Sequence, residues 1–125
     1  MLLSHGTLVA LVDSHNWRLL RNAGTEAVPV LASVETPALA EAHHASGSAG
    51  QRLAEATHAA AIGEWLHHQA IGRHLEHVVL IAPPRVLGEL RRHLSPAAER
   101  LILKEVSKDM IGRHENEILA VLQGQ

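Results

Sequence analysis

Val78-Val79-Leu80-Ile81-Ala82-Pro83-Pro84-Arg85-Val86-Leu87-Gly88-Glu89-Leu90-Arg91-Arg92-His93-Leu94 is the stretch on which the fold turns. Its first four residues are apolar β-formers in an unbroken run, the pattern of a strand covered on both faces. Successive side chains of a strand point to opposite faces. Val79 and Ile81 should therefore be buried on one side and Leu80 should meet a helix layer on the other. Pro83 and Pro84 have no N–H to donate and cannot continue a central ladder. Pro84 suits the first turn of a helix, where that N–H has no partner in any case. Leu87, Leu90 and Leu94 then recur at helical spacing.

Working outward, Thr7 to Val12 reads as a first strand and Trp17 to Arg21 as a second. The turn-rich Asp13-Ser14-His15-Asn16 between them suggests a hairpin. A second turn, Asn22 to Thr25, leads to a third strand over Ala27 to Val34, and Pro29 inside it favours a sheet edge. Thr36-Pro37 opens a short helix, Pro37 to His43. The small, polar run Ala45 to Gly50 reads as a loop. Gln51 to His74 is the long helix. Leu53, Ala56, Ala60, Gly63 and Ala70 form its inward stripe, with Leu66 beside it and Trp65 pointing away. Gly72 marks its C-terminal turn. After the diproline helix, Ser95 is a helix N-cap with Pro96 at the first helical position. Leu101 to Val106 is a fifth strand and Glu115 to Leu122 a last helix. Three antiparallel strands, a helix and two strand–helix units predict an α/β fold, a ribonuclease-H-like three-layer sandwich. Its mixed five-stranded sheet has the order 3-2-1-4-5, the last two strands running parallel to the first.

The chain has 125 residues, which predicts one domain over 1–125. It is 46% hydrophobic and 19% charged, as globular chains are. Aromatics are confined to Trp17 and Trp65, so the core must be built from Leu, Val, Ile and Ala. A net charge of −2 gives no general attraction to nucleic acid. There is no cysteine, hence no disulfide framework and no thiolate chemistry. Met1-Leu2-Leu3 lacks a basic leader region, and no stretch approaches the roughly 20 apolar residues of a membrane span. These features predict a cytoplasmic protein without membrane insertion.

The diproline stretch resembles the bacterial host-attachment family, proteins described as required for attachment to host cells. There a strand of the type L-V-L-V-A-P-P is followed by R-x-L-G-x-L-R and Leu-Ser-Pro. The counterparts here are Val79 to Pro84, Arg85 to Arg91, and Leu94-Ser95-Pro96. The family's valine-rich strand ending in Lys-Asp-Leu is matched by Leu101 to Met110, and its first strand by Thr7 to Ser14. The family is similar in turn to the central domain of archaeal and eukaryotic class-1 peptide release factors. The resemblance implies a non-enzymatic binding module with ribosome, tRNA or other RNA as partner and no cofactor. Two other readings stand beside it: a small hydrolase or nuclease, and a structural adaptor acting as a homo-oligomer through the long helix. The chain departs from the family between the third strand and the long helix. A longer polar segment with an Asp-Arg stretch is shortened here to Glu35–Gly50.

Candidate chemistry is sparse. Nucleases of ribonuclease-H-like fold hold two metal ions with several carboxylates. This chain has two aspartates, Asp13 and Asp109, and only Asp13 ends a strand where such chemistry sits. A turn residue accepting backbone hydrogen bonds is the simpler reading of Asp13. Release factors carry a Gly-Gly-Gln loop, and Ala49-Gly50-Gln51 stands near the corresponding place. Eleven histidines include His43-His44, His67-His68 and the pair His74 and His77. Adjacent helical residues diverge by about 100°, so these clusters predict a solvated surface and no metal site. So many imidazoles still make net charge sensitive near about pH 6.5.

Basic residues gather in the C-terminal half, and Arg85, Arg91 and Arg92 with Asp13 are the candidate binding residues. Open α/β sheets take ligands at the carboxyl ends of their strands. A helix start adds N–H groups that favour anions. An arginine in that first turn runs against the helix dipole by about 0.3–1 kcal/mol. Arg85 thus requires either a bound anion or a carboxylate partner, for which Asp13 is the candidate if the first and fourth strands are neighbours.

Overall fold

A computed structural model describes residues 1–39 and 48–125. The elements are β1 (Leu8–Val12), β2 (Trp17–Asn22), β3 (Leu31–Val34), α1 (Ser48–Ile71), β4 (Val78–Ala82), α2 (Pro84–Arg91), α3 (Pro96–Leu101), β5 (Ile102–Ser107) and α4 (Glu115–Gln123). They build an α/β fold around one sheet in the order β3-β2-β1-β4-β5. β1 pairs antiparallel with β2, and β2 with β3. β4 lies parallel to β1, with Leu8 beside Val78 and Leu11 beside Ile81, and β5 lies parallel to β4. The strand order and directions are those the sequence pattern predicts.

The apolar run of β4 divides the core in two. Val78, Leu80 and Ala82 face a cluster with Ala59, Ile62 and Leu66 of α1, Leu87 and Leu90 of α2, and Ala98 of α3. Val79 and Ile81 face the other way, onto Ile118 and Leu122 of α4, Met110 and Leu3. Each residue of β4 is at most 1% exposed. Three layers result: α1, α2 and α3, then the sheet, then α4.

The long helix buries a different stripe from the one its pattern suggests. Ala54, Ala59, Ile62 and Leu66 are buried, whereas Leu53 is 58% exposed. Alanines at 54, 56, 59, 60 and 61 put small apolar residues on several sides of α1, so only Ile62 and Leu66 select a face. Gly63 is needed not against the sheet but against the connection from α2 to α3. A Cβ there would lie 2.3 Å from the His93 carbonyl oxygen. Trp65 does not point into solvent. It packs edge to face on Trp17 with ring centroids 5.2 Å apart, at the rim of the core.

Other boundaries shift for local reasons. β3 begins at Leu31 rather than Ala27, because buried Asn22 takes the Val30 N–H on its Oδ1 at 3.0 Å and holds the preceding residues in a loop. β3 is an edge strand, as Pro29 suggests. Ser95 caps α3 by accepting from the Ala98 N–H at 3.1 Å, with Pro96 at the first helical position. Pro37 to Leu39 are not helical. The rest of the helix expected over Pro37–His43 lies outside the described residues, as does the His43-His44 pair. Among the described residues, no helix is long and apolar enough to cross a membrane.

Candidate functional site

Leaving the sheet, β1 leads to β2 on one side and β4 leads through α2 and α3 to β5 on the other. The chain order therefore reverses between β1 and β4, which places a crevice at their carboxyl ends. A cleft of about 380 Å³ occupies this point. Val12, Asp13 and Ser14 come to it from the end of β1, Arg52, Glu55 and His58 from α1, and Arg85, Glu89 and Arg92 from α2 and its end.

The diproline makes one wall. Pro83 stands at the N-cap of α2 with φ −57° and ψ 154°, Pro84 opens the helix, and no side chain caps the first turn. Arg85 follows at once and reaches across the cleft. Its Nη2 donates to both carboxylate oxygens of Glu55 at 2.7 Å and stands 3.4 Å from Ser14 Oγ. The partner of Arg85 is thus Glu55 of α1 and not Asp13. Asp13 turns its carboxylate inward on its own turn, where Oδ1 accepts the N–H groups of His15 at 2.9 Å and Asn16 at 2.6 Å. That fixes the β1–β2 hairpin and leaves Asp13 as cleft wall rather than as the partner of Arg85.

Arg92 lines the same cleft, 3.9 Å from Glu89 across one turn of helix. Arg91 does not join it. Its guanidinium points towards β5, where Nε donates to Glu105 Oε2 at 2.9 Å. That hydrogen bond, with the charge of Glu105, holds Arg91 above the ordinary arginine pKa. Adjacent residues of α2 are about 100° apart around the axis, which sends Arg91 and Arg92 to different surfaces. Of the four candidate residues, Asp13, Arg85 and Arg92 come together and Arg91 lies apart.

Arg52, Glu55 and His58 are cleft residues that sequence reasoning missed. They recur three apart on α1, a spacing that puts them on one side of a helix, but charged residues so spaced also mark any solvated face. His58 is tied back to the hairpin by a ring nitrogen 3.1 Å from the Asn16 carbonyl oxygen. Ala49-Gly50-Gln51 lies inside the first turns of α1 rather than in a loop before it. His67 and His68 diverge, one bonded to Ser95 Oγ at 2.7 Å and the other beside Glu64 at 3.5 Å. Among the described residues, no group of three or more His, Cys, Asp or Glu side chains is placed to hold a metal ion.

Comparison with curated proteins finds no match. Comparison with protein families does: the family described as "Protein required for attachment to host cells" matches residues 39–122. The matched span runs from the segment before α1 into α4 and includes the diproline strand and helix. The first strand, Thr7 to Ser14, lies outside it. With more than half of its length matched, and with the diproline turn that walls the cleft inside the match, the chain belongs to the family of proteins required for attachment to host cells.

Proposed function

We propose that this chain is a non-enzymatic, cytoplasmic binding module that serves attachment to host cells, as its family's description implies. Its ligand enters the β1/β4 cleft and carries phosphate. The observation that supports this most is that Arg52 of α1, Arg85 in the uncapped first turn of α2 and Arg92 at that helix's far end all line one cleft. Guanidinium forks match the geometry of phosphate oxygens, and the first-turn N–H groups add to the attraction. The carboxylates beside them have other duties: Asp13 in its turn, Glu55 on Arg85, Glu89 beside Arg92 and His93. An arriving phosphate competes with Glu55 for Arg85, so recognition here is local rather than the work of a broad basic face.

RNA is the finer reading, and the resemblance to release factors is what favours it. The test is fluorescence anisotropy of a labelled single-stranded RNA against salt. Three phosphate contacts on a single strand give a slope of log K on log salt of about −2. Arg52→Ala and Arg92→Ala should each flatten it by about 0.7. Absence of affinity at low salt removes RNA as the ligand. Binding that the double variant leaves unchanged removes the cleft as its site.

A further inference from the structure

We propose that the opposite end of the sheet carries a second binding site, one that takes a divalent tetrahedral oxyanion when its imidazoles are protonated. A cleft of about 480 Å³ opens at the amino ends of β1 and β4. The charged and titratable groups that face it are His5, Arg21, His74, Glu76 and His77. The guanidinium and the carboxylate cancel in formal charge, so the three imidazoles set the sign. The cleft is neutral when they are neutral and strongly positive when they are not.

The contacts of Arg21 point to an anion. Of the nine arginines, Arg18, Arg85, Arg91, Arg92 and Arg113 each stand within 4.0 Å of a carboxylate. Among the described residues Arg21, Arg52, Arg73 and Arg100 do not, Arg21 although Glu76 lines the same cleft. What stands beside Arg21 sets it apart. Its neighbour is another base: Arg21 Nη2 lies 3.4 Å from His5 Nε2. On the far side of that ring, Nδ1 is 2.7 Å from the Gly24 carbonyl oxygen. A carbonyl oxygen only accepts, so Nδ1 carries the hydrogen and Nε2 of the neutral ring is free to accept from Arg21. Adding the second proton puts an N–H against the guanidinium and replaces a hydrogen bond by two facing cations. An oxyanion between them, in the cleft that His74 and His77 also line, converts that repulsion into charge-assisted hydrogen bonds. A metal ion is poorly suited to the same cleft, because the guanidinium stands on the ring nitrogen that would ligate it.

Sulfate is the probe, since it stays divalent across the range in which imidazoles titrate and any pH dependence then reports the protein. The full chain is titrated with sodium sulfate at constant ionic strength, at about pH 5.5 and about pH 8, following the histidine ring signals by NMR. The expected result is saturable shifts of His5, His74 and His77, with affinity at least about tenfold lower at the higher pH, as loss of charge on several imidazoles requires. Arg21→Ala should abolish saturation. Arg21→Lys should retain part of it, and Arg100→Ala, an exposed arginine of α3, should change nothing. Phosphoserine compared with inorganic phosphate at about pH 5.5, where both are largely monoanionic, separates the two sources of such an anion: tighter binding of phosphoserine marks an esterified phosphate, equal or weaker binding a free ion. Shifts that never saturate, equal affinity at both pH values, or full binding by Arg21→Ala would each overturn the proposal. So would saturable zinc binding that sulfate cannot displace. RNA binding at the other cleft stands or falls separately, because its arginines are different ones.

Discussion

Arg73 holds a φ of 55°, in the left-handed region that side chains other than glycine rarely adopt. It does so because α1 ends there in a Schellman turn. The His74 N–H reaches the Gln69 carbonyl at 3.1 Å and the Arg73 N–H reaches that of Ala70 at 3.2 Å. The sequence shows a glycine at this helix end, but at position 72. Gly72 serves a different need: a Cβ on it would lie 2.8 Å from His74 Cε1 and 3.0 Å from the His68 carbonyl oxygen. The glycine thus stands one residue before the position whose backbone asks for it. Arg73→Gly should raise stability by about 0.5–1 kcal/mol by relieving the left-handed strain, less the entropy glycine adds to the unfolded chain. Urea denaturation checks this, and a lower midpoint would mean the Arg73 side chain contributes more than its backbone costs. Arg85 shows the same limit on legibility. Its position against the helix dipole is visible in sequence and requires a partner. That the partner is Glu55, thirty residues earlier on another helix, depends on how α1 lies across the sheet.

At the scale of elements, the helix starts were the most legible features, since their signals are local. Ser95-Pro96 and Pro83-Pro84 open helices where their chemistry says they must. What holds an element to its neighbours was not legible. Arg18 of β2 donates to the carbonyls of Ile111 at 3.2 Å and Arg113 at 2.7 Å, and pairs with the carboxylate of Glu115. It thereby fastens the start of α4 to the far side of the sheet, across more than ninety residues of chain. Glu115 is held below the ordinary glutamate pKa, chiefly by a hydrogen bond to its own backbone N–H and further by the charge of Arg18. A carboxyl lowered in this way stabilises the fold while it is ionised. That contribution is complete above the ordinary carboxylate value of about 4.3 and disappears as pH falls through the lowered one. Glu115→Gln should therefore lower the denaturation midpoint near neutral pH. The gap between variant and parent should narrow as pH drops below about 4. A gap that is constant with pH would show that the carboxylate charge has no part in fastening α4.

The whole molecule is a sheet with two separate half-cores, and the burial of β4 on both faces was readable in its unbroken apolar run. Which helices cover which face was not, because the alanines of α1 are compatible with several orientations. Both sheet edges are poor templates for further strands. β3 is only four residues long, and β5 carries an irregularity where Val78 pairs with Ile102 but Val79 with Lys104, leaving Leu103 without a partner. Stability therefore rests on the two faces. Ile62 of α1 and Ile118 of α4 are each 0% exposed and belong to different clusters, with the sheet between them. Removing one methylene from either, as Ile62→Val or Ile118→Val, should cost about 0.5–1.5 kcal/mol. Residues that share no partner should act independently, so the double variant should lose the sum of the two to within about 0.5 kcal/mol. Equilibrium denaturation of the four proteins closes the cycle. A coupling well above that margin would mean that the sheet transmits repacking from one face to the other and that the two clusters form a single core.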